Sequence, residues 1–277
     1  MRRRFLLLLG LIVFLAPAFA QEGEDWNAFR ERTGQYYHYL LQRDVDNFSF
    51  ELTSKAYIDF IAQYGDSTHY YPLKFIWTSP EDRYYVLQTL PAAAEKDSLR
   101  REMLLRIQDL KNLWEDILFD FKKYIFQPPM YSIPDGALAR MASDTVGISY
   151  KDPQGNFRLR ENYAKSGLLR EVVWEAGNQR TITRPVYKLD ENKWYCVGWQ
   201  SQKTVNGEVT EGLVYGLEPL WIGNHYLPNQ VDVAVQAQRG DTGEIVSGLY
   251  RIFLRDLRFN ELIEVRNPGP IHPRLQR

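Results

Sequence analysis

Eight apolar segments separated by turn residues fill the second half of the chain, and this rhythm constrains the fold more than any other feature. The segments are Thr145–Tyr150, Phe157–Tyr163, Leu168–Ala176, Arg180–Leu189, Trp194–Gln202, Gly212–Leu220, Tyr226–Gln238 and Glu244–Arg258. Between them stand Asp152-Pro153-Gln154-Gly155-Asn156, Gly177-Asn178, Asp190-Glu191-Asn192, Asn206-Gly207 and Arg239-Gly240-Asp241-Thr242-Gly243. Gly, Asn and Asp tolerate the left-handed backbone of tight turns, so the pattern predicts sequential hairpins and an antiparallel meander.

The first half mixes strand and helix signals. Phe48, Phe50, Leu52, Ala56, Ile58 and Phe60 alternate with Ser49, Glu51, Thr53, Lys55 and Asp59, which predicts a strand with one buried and one wet face. A turn at Gly65-Asp66-Ser67 leads to strands at Leu73–Trp77 and Tyr84–Leu90, joined through Ser79-Pro80-Glu81-Asp82. A helix is predicted over 24–43, capped by Asp25, with Trp26, Phe29, Tyr36, Tyr37, Leu40 and Leu41 on its apolar side and Gly34 as its weak point. A longer helix, or a pair, is predicted over 97–127 with Asp97-Ser98 as its cap. There Leu99, Met103, Ile107, Leu110, Trp114, Ile117, Phe121 and Ile125 recur every three or four residues. Pro128-Pro129 ends it, and 127–142 reads as a loop with a short helical turn. The first strand block is too small to bury a face alone. One domain over 21–262 is therefore expected, followed by a flexible tail at 263–277.

The N-terminus reads as an address. Arg2, Arg3 and Arg4 precede an apolar run from Phe5 to Leu15, and Ala18-Phe19-Ala20 supplies small residues around a cleavage point. The run is shorter than the roughly 20 apolar residues a membrane-spanning helix needs. Residues 1–20 are thus expected to be a cleaved secretory signal. The single cysteine, Cys196, lies far from that point, so the mature chain is expected in the periplasm without a lipid anchor. Cys196 itself reads as a buried small hydrophobe.

Composition and motifs exclude several function classes. The formal net charge is −1, with 34 basic and 35 acidic residues, and losing the three leader arginines makes the remainder more acidic. That argues against nucleic acid as a partner. His38, His69, His225 and His272 have no metal-ligand spacing, and no nucleophile elbow, phosphate loop or paired carboxylate stands out. No catalytic residue, metal or cofactor is predicted. Aromatic residues make up 14% of the chain, which suits either strands or an apolar ligand site. Trp194 to Trp199 is apolar on both faces, and Leu168 to Trp174 is similarly mixed. Two apolar faces imply cover on both, self-association or a greasy cavity, with ordinary core packing the bland alternative.

The order of elements, with Phe75-Ile76-Trp77-Thr78-Ser79-Pro80 early, Leu227-Pro228-Asn229-Gln230-Val231 late and a closing strand ending in Leu257-Arg258-Phe259-Asn260, resembles the lipoprotein-carrier (Lol-type) superfamily of periplasmic proteins. The resemblance covers most of 26–260 through short motifs. It implies an α+β fold: a strongly curved antiparallel sheet, an incomplete barrel, with helices covering its concave face and an apolar cavity between. The helical segment near 97–127 is a departure from the simpler members. On this resemblance the expected function is a non-enzymatic carrier or sensor of a lipid or lipoprotein acyl chain. Its expected partners are a hydrophobic ligand and an envelope lipoprotein or membrane protein. The expected cavity lining is Phe48, Phe50, Phe75, Trp77, Tyr85, Trp174, Trp194, Cys196 and Val233. Two alternatives stay open: an envelope interaction module using the 97–127 helix, and a hydrolase with a dispersed site.

Overall fold

The computed structural model describes residues 26–42, 44–65, 70, 72–78, 83–88, 98–151, 156–238 and 243–261, with the backbone alone at 83–88. The expected leader, the tail at 263–277, the caps at Asp25 and Asp97 and the turns at 66–67, 79–82, 152–155 and 239–242 lie outside the described residues.

Among those residues the strands form one antiparallel sheet of twelve. In chain order they are β1 (Asn47–Ser54), β2 (Leu73–Thr78), β3 (Arg83–Gln88), β4 (Leu138–Met141), β5 (Thr145–Lys151), β6 (Arg158–Ala164), β7 (Leu169–Ala176), β8 (Gln179–Asp190), β9 (Lys193–Val205), β10 (Glu208–Ile222), β11 (His225–Gln238) and β12 (Ile245–Phe259). Their spatial order is β3-β2-β1-β12-β11-β10-β9-β8-β7-β6-β5-β4. The last strand slots beside the first, and β3 and β4 are the two edges, so the sheet is not closed. The eight segments of the second half each become a strand, because turn residues at hairpin spacing leave the apolar runs little else to pair with.

Three α-helices accompany the sheet: α1 (Trp26–Gly34), α2 (Lys55–Tyr64) and α3 (Ser98–Phe121). Two of them correct the sequence expectation. The strand expected to reach Phe60 stops at Ser54, whose hydroxyl accepts a hydrogen bond from the Tyr57 amide and caps α2. Tyr57, Phe60, Ile61 and Tyr64 carry a helical period alongside the period of two, and the cap decides between them. The helix expected over 24–43 ends at Gly34, where a Cβ would stand 2.7 Å from the Tyr131 hydroxyl. Residues 35–42 then run as a strap across the end of the sheet. The His38 amide donates to the Trp194 carbonyl at 2.8 Å, and the Leu40 and Leu41 amides donate to Ile125 and Phe126 at 2.9 and 2.8 Å.

The long helix is continuous. α3 runs straight into a π-helical turn at Lys122–Phe126, and a 3-10 turn at Pro129–Ser132 follows. The edge strand β4, placed in a loop by sequence, owes its form to pairing with β5.

Two β-bulges explain the segments that looked apolar on both faces. In β9 the register steps from Val186↔Gly198 to Tyr187↔Cys196, so Val197 is the extra residue. Cys196 and Trp199, an odd number apart, thereby both turn inward. In β7 the step from Asn162↔Glu171 to Tyr163↔Leu169 makes Arg170 the extra residue, and Leu169 and Val172 are both buried. Gly198 makes the first bulge possible: its φ is +149°, and a Cβ would collide with the Tyr215 carbonyl oxygen. Gly198→Ala should therefore cost on the order of 3 kcal/mol, read from the shift of the urea unfolding midpoint.

Candidate ligand-binding interior

Strand alternation lays aromatic side chains along one face of the sheet, and α3 brings a second set down on it. Trp114 sits with its ring 5.5 Å from Phe50 and 5.6 Å from Phe75. About two turns on, Phe121 lies 4.9 Å from Trp114 and 5.8 Å from Trp199. The π-helical turn adds Tyr124, 5.5 Å from Trp199, and Phe126, 5.2 Å from Phe48. Trp199 in turn stacks on Tyr215 at 4.6 Å. Offset and edge-on contacts of this kind are the favoured aromatic geometries. The space between helix and sheet is filled by these side chains.

Of the nine residues expected to line a cavity, Phe48, Phe50, Phe75, Trp77, Cys196 and Val233 come together in this one buried cluster. Trp174 and Trp194 are half-buried at its margin, the former against Phe157, the latter against Tyr36 and Tyr37. The side chain of Tyr85 lies outside the described residues. Burial pushes the Cys196 thiol up to about 12, so it stays a neutral core atom. His38 and His225 serve the strap, contacting the carbonyls of Asp190 and Leu40 at 3.3 Å each. Among the described residues no group of three metal-ligating side chains occurs.

Sequence reasoning missed the polar clasp inside this apolar layer. Lys123 Nζ donates to Glu161 Oε1 at 2.7 Å, with the side chains 2% and 0% exposed. The hydroxyls of Tyr150 and Tyr163 each donate to the same carboxylate at 2.6 Å. Lys123 also reaches Ser132 Oγ at 2.9 Å and the Pro129 carbonyl at 3.4 Å. Every charge is therefore met, which is what allows an ion pair to stay buried. Burial and the neighbouring Glu161 charge hold the Tyr163 phenol well above its usual range. The one available signal was Glu161 itself, an acid at an inward strand position between Leu159 and Tyr163. Its partner stands 38 residues away, beyond any spacing rule.

A second acid borders the cluster. Asp120 on α3 is half-buried. Burial pushes its carboxyl from 3.8 up to about 7, against the opposing pull of Lys123 and the Trp199 indole. Trp199 Nε1 has no partner in hydrogen-bond geometry, so its pull is that of a nearby N–H dipole.

Two outcomes follow from these groups. Lys123→Met strands the Glu161 charge and should cost about 3–5 kcal/mol by urea denaturation, while adding Glu161→Gln should recover on the order of 2 kcal/mol. For Asp120 the folded state holds its proton above the unfolded pKa, so stability should fall as pH rises from about 4 to about 7. Asp120→Asn should flatten that slope in unfolding curves taken across the range. Comparison with known proteins returns no family model, no curated protein and no solved structure that matches this chain.

Proposed function

We propose that this chain is a non-enzymatic carrier or sensor that takes an acyl chain or another lipid between α3 and the sheet. In this reading the sheet curves into an incomplete barrel, α3 lies along its concave face, and the leader at 1–20 delivers the protein to the periplasm. The curvature draws its support from two contacts. Trp114 touches Phe75 on β2, and Lys123 touches Glu161 on β6. These helix positions are nine residues apart, about 14 Å along the axis. The two strands are eight steps apart in the sheet, about 38 Å if it were flat. A sheet wrapped around the helix brings both within reach, which supports this reading.

The observation that carries the ligand reading is the nature of the cover. One continuous aromatic cluster draws on strands from β1 to β12; α3 with its π-helical turn is the longest part of its cover, and Phe29 of α1, Tyr57 of α2 and Tyr37 and Leu40 of the strap complete it. The outward side of α3 is charged, with Glu102 bound to Arg106 at 2.9 Å. Such a helix exchanges apolar contacts for those of an acyl chain when it lifts, each buried methylene contributing about 0.8 kcal/mol. A π-helical turn is a frequent mark of functional sites, and here it joins the cover to the clasp. In this reading Lys123–Glu161 and the strap are the contacts that opening must break.

Leu105 and Phe119, exposed on α3, favour a second reading in which that helix docks an envelope protein. A brominated fatty acid, kept below its micelle concentration, separates the two. It should quench the buried Trp114 and Trp199 fluorescence, and native mass spectrometry should find it bound one to one. Ligand-free protein with unchanged fluorescence up to that concentration limit would overturn the carrier reading.

A further inference from the structure

Strands β4, β5 and β6 lie side by side at one edge of the sheet. Val146, Ile148, Leu159, Glu161 and Tyr163 are their buried, inward residues, so the alternate positions face away from α3. On that outer face Lys151 stands directly opposite Arg158. One step along, Arg160 is opposite Ser149, which is opposite Leu138. Arg140 lies opposite Gly147, which offers no side chain to meet it. All four cations are exposed. None of the four has an ion-pair or hydrogen-bond partner among the described residues.

Among the described residues, the two acids opposite β6 are already engaged. Glu175, opposite Arg158, lies 3.6 Å from Arg180, and Glu171 binds Arg184 at 2.9 Å. Like charges directly opposed across two strands are destabilising, and the chain as a whole is slightly acidic, so composition does not account for the concentration. Leu138, in the same row as Arg160, is 73% exposed.

We infer that this outer face of β4–β6 docks on an anionic membrane surface, Lys151, Arg158, Arg160 and Arg140 meeting lipid phosphates and Leu138 entering the headgroup layer. Charge complementarity calls for an anionic partner. The exposed leucine among the cations distinguishes a bilayer from an acidic protein, because carboxylate clusters offer it nothing apolar. Mobile headgroups also adapt to four separate flexible side chains without a fixed pattern of acids. The inference stands whether or not the interior takes an acyl chain.

Co-sedimentation with vesicles tests it on the whole protein. The wild type should pellet with phosphatidylcholine vesicles containing phosphatidylglycerol, stay in solution with phosphatidylcholine alone, and be released by high salt. Lys151→Gln, Arg158→Gln and Arg160→Gln should each lower the partition coefficient roughly fivefold, and Leu138→Ser should lower it further. Arg101→Gln, an exposed arginine on α3, should leave it unchanged. Far-UV circular dichroism and the urea midpoint confirm that each variant folds. Equal sedimentation with neutral vesicles, or undiminished binding by the triple glutamine variant, would overturn the inference. So would capture by polyglutamate in the absence of any vesicle binding. Brominated fatty acid quenching, run on the triple variant, stays normal if the interior site is sound, so the two readings fail separately.

Discussion

A sheet of twelve strands that does not close must take the aromatic part of one face out of water, and in this chain the largest share of that task falls on one helix. The topology makes the arrangement unavoidable. The first strand block ends at one edge, β3, and the next strand formed is the opposite edge, β4. The chain must travel between them, and α3 is the described part of that path. Connection and cover are therefore the same segment. Its apolar stripe, from Met103 through Trp114 to Phe121, is buried because it meets the aromatic face of the sheet.

An aromatic interface of this kind is permissive about register, since rings accept several offset contacts at similar energy. The Lys123–Glu161 pair is not. Its carboxylate is met by an ammonium and two phenols, and its ammonium by a serine and a carbonyl as well. A slide of the helix by one turn would leave two buried charges unmatched. The ion pair thus supplies alignment, where the aromatic layer supplies most of the burial. The π-helical turn places Lys123 and Tyr124 together at the seam between the two kinds of contact.

Much of this fold was legible in sequence. Asn206-Gly207, Gly177-Asn178 and Glu191-Asn192 mark hairpins by backbone chemistry alone, and the structure puts Asn206, Gly207, Gly177, Glu191 and Asn192 at positive φ. The inward aromatics Phe48, Phe50 and Phe75 were legible for the same reason, because alternation is local. What stayed hidden depends on contacts between distant residues. Ala56, Ile58 and Phe60 read as strand until the Ser54 cap is seen. The apparent two-faced strands turned on bulges, at Val197 and Arg170, that only pairing reveals. Lys123 carries no local mark of its role, since its partner comes from a strand 38 residues on.

The placing of β12 has a consequence for how such a molecule comes to be made. That strand pairs with β1 on one side and β11 on the other. Asn260, just past its end, holds the entry to β1 through the Asp46 amide and the Asp44 carbonyl, each at 2.7 Å. Without Ile245 onward the β1–β3 block has no bonded neighbour in the sheet and is joined to the β4–β11 block through α3 and the strap. Contacts spanning more than 200 residues carry a large chain-closure cost, and topologies rich in them assemble slowly. The final strand is the one hydrogen-bonded link between the two blocks of the sheet, so the end of the chain holds its beginning in place.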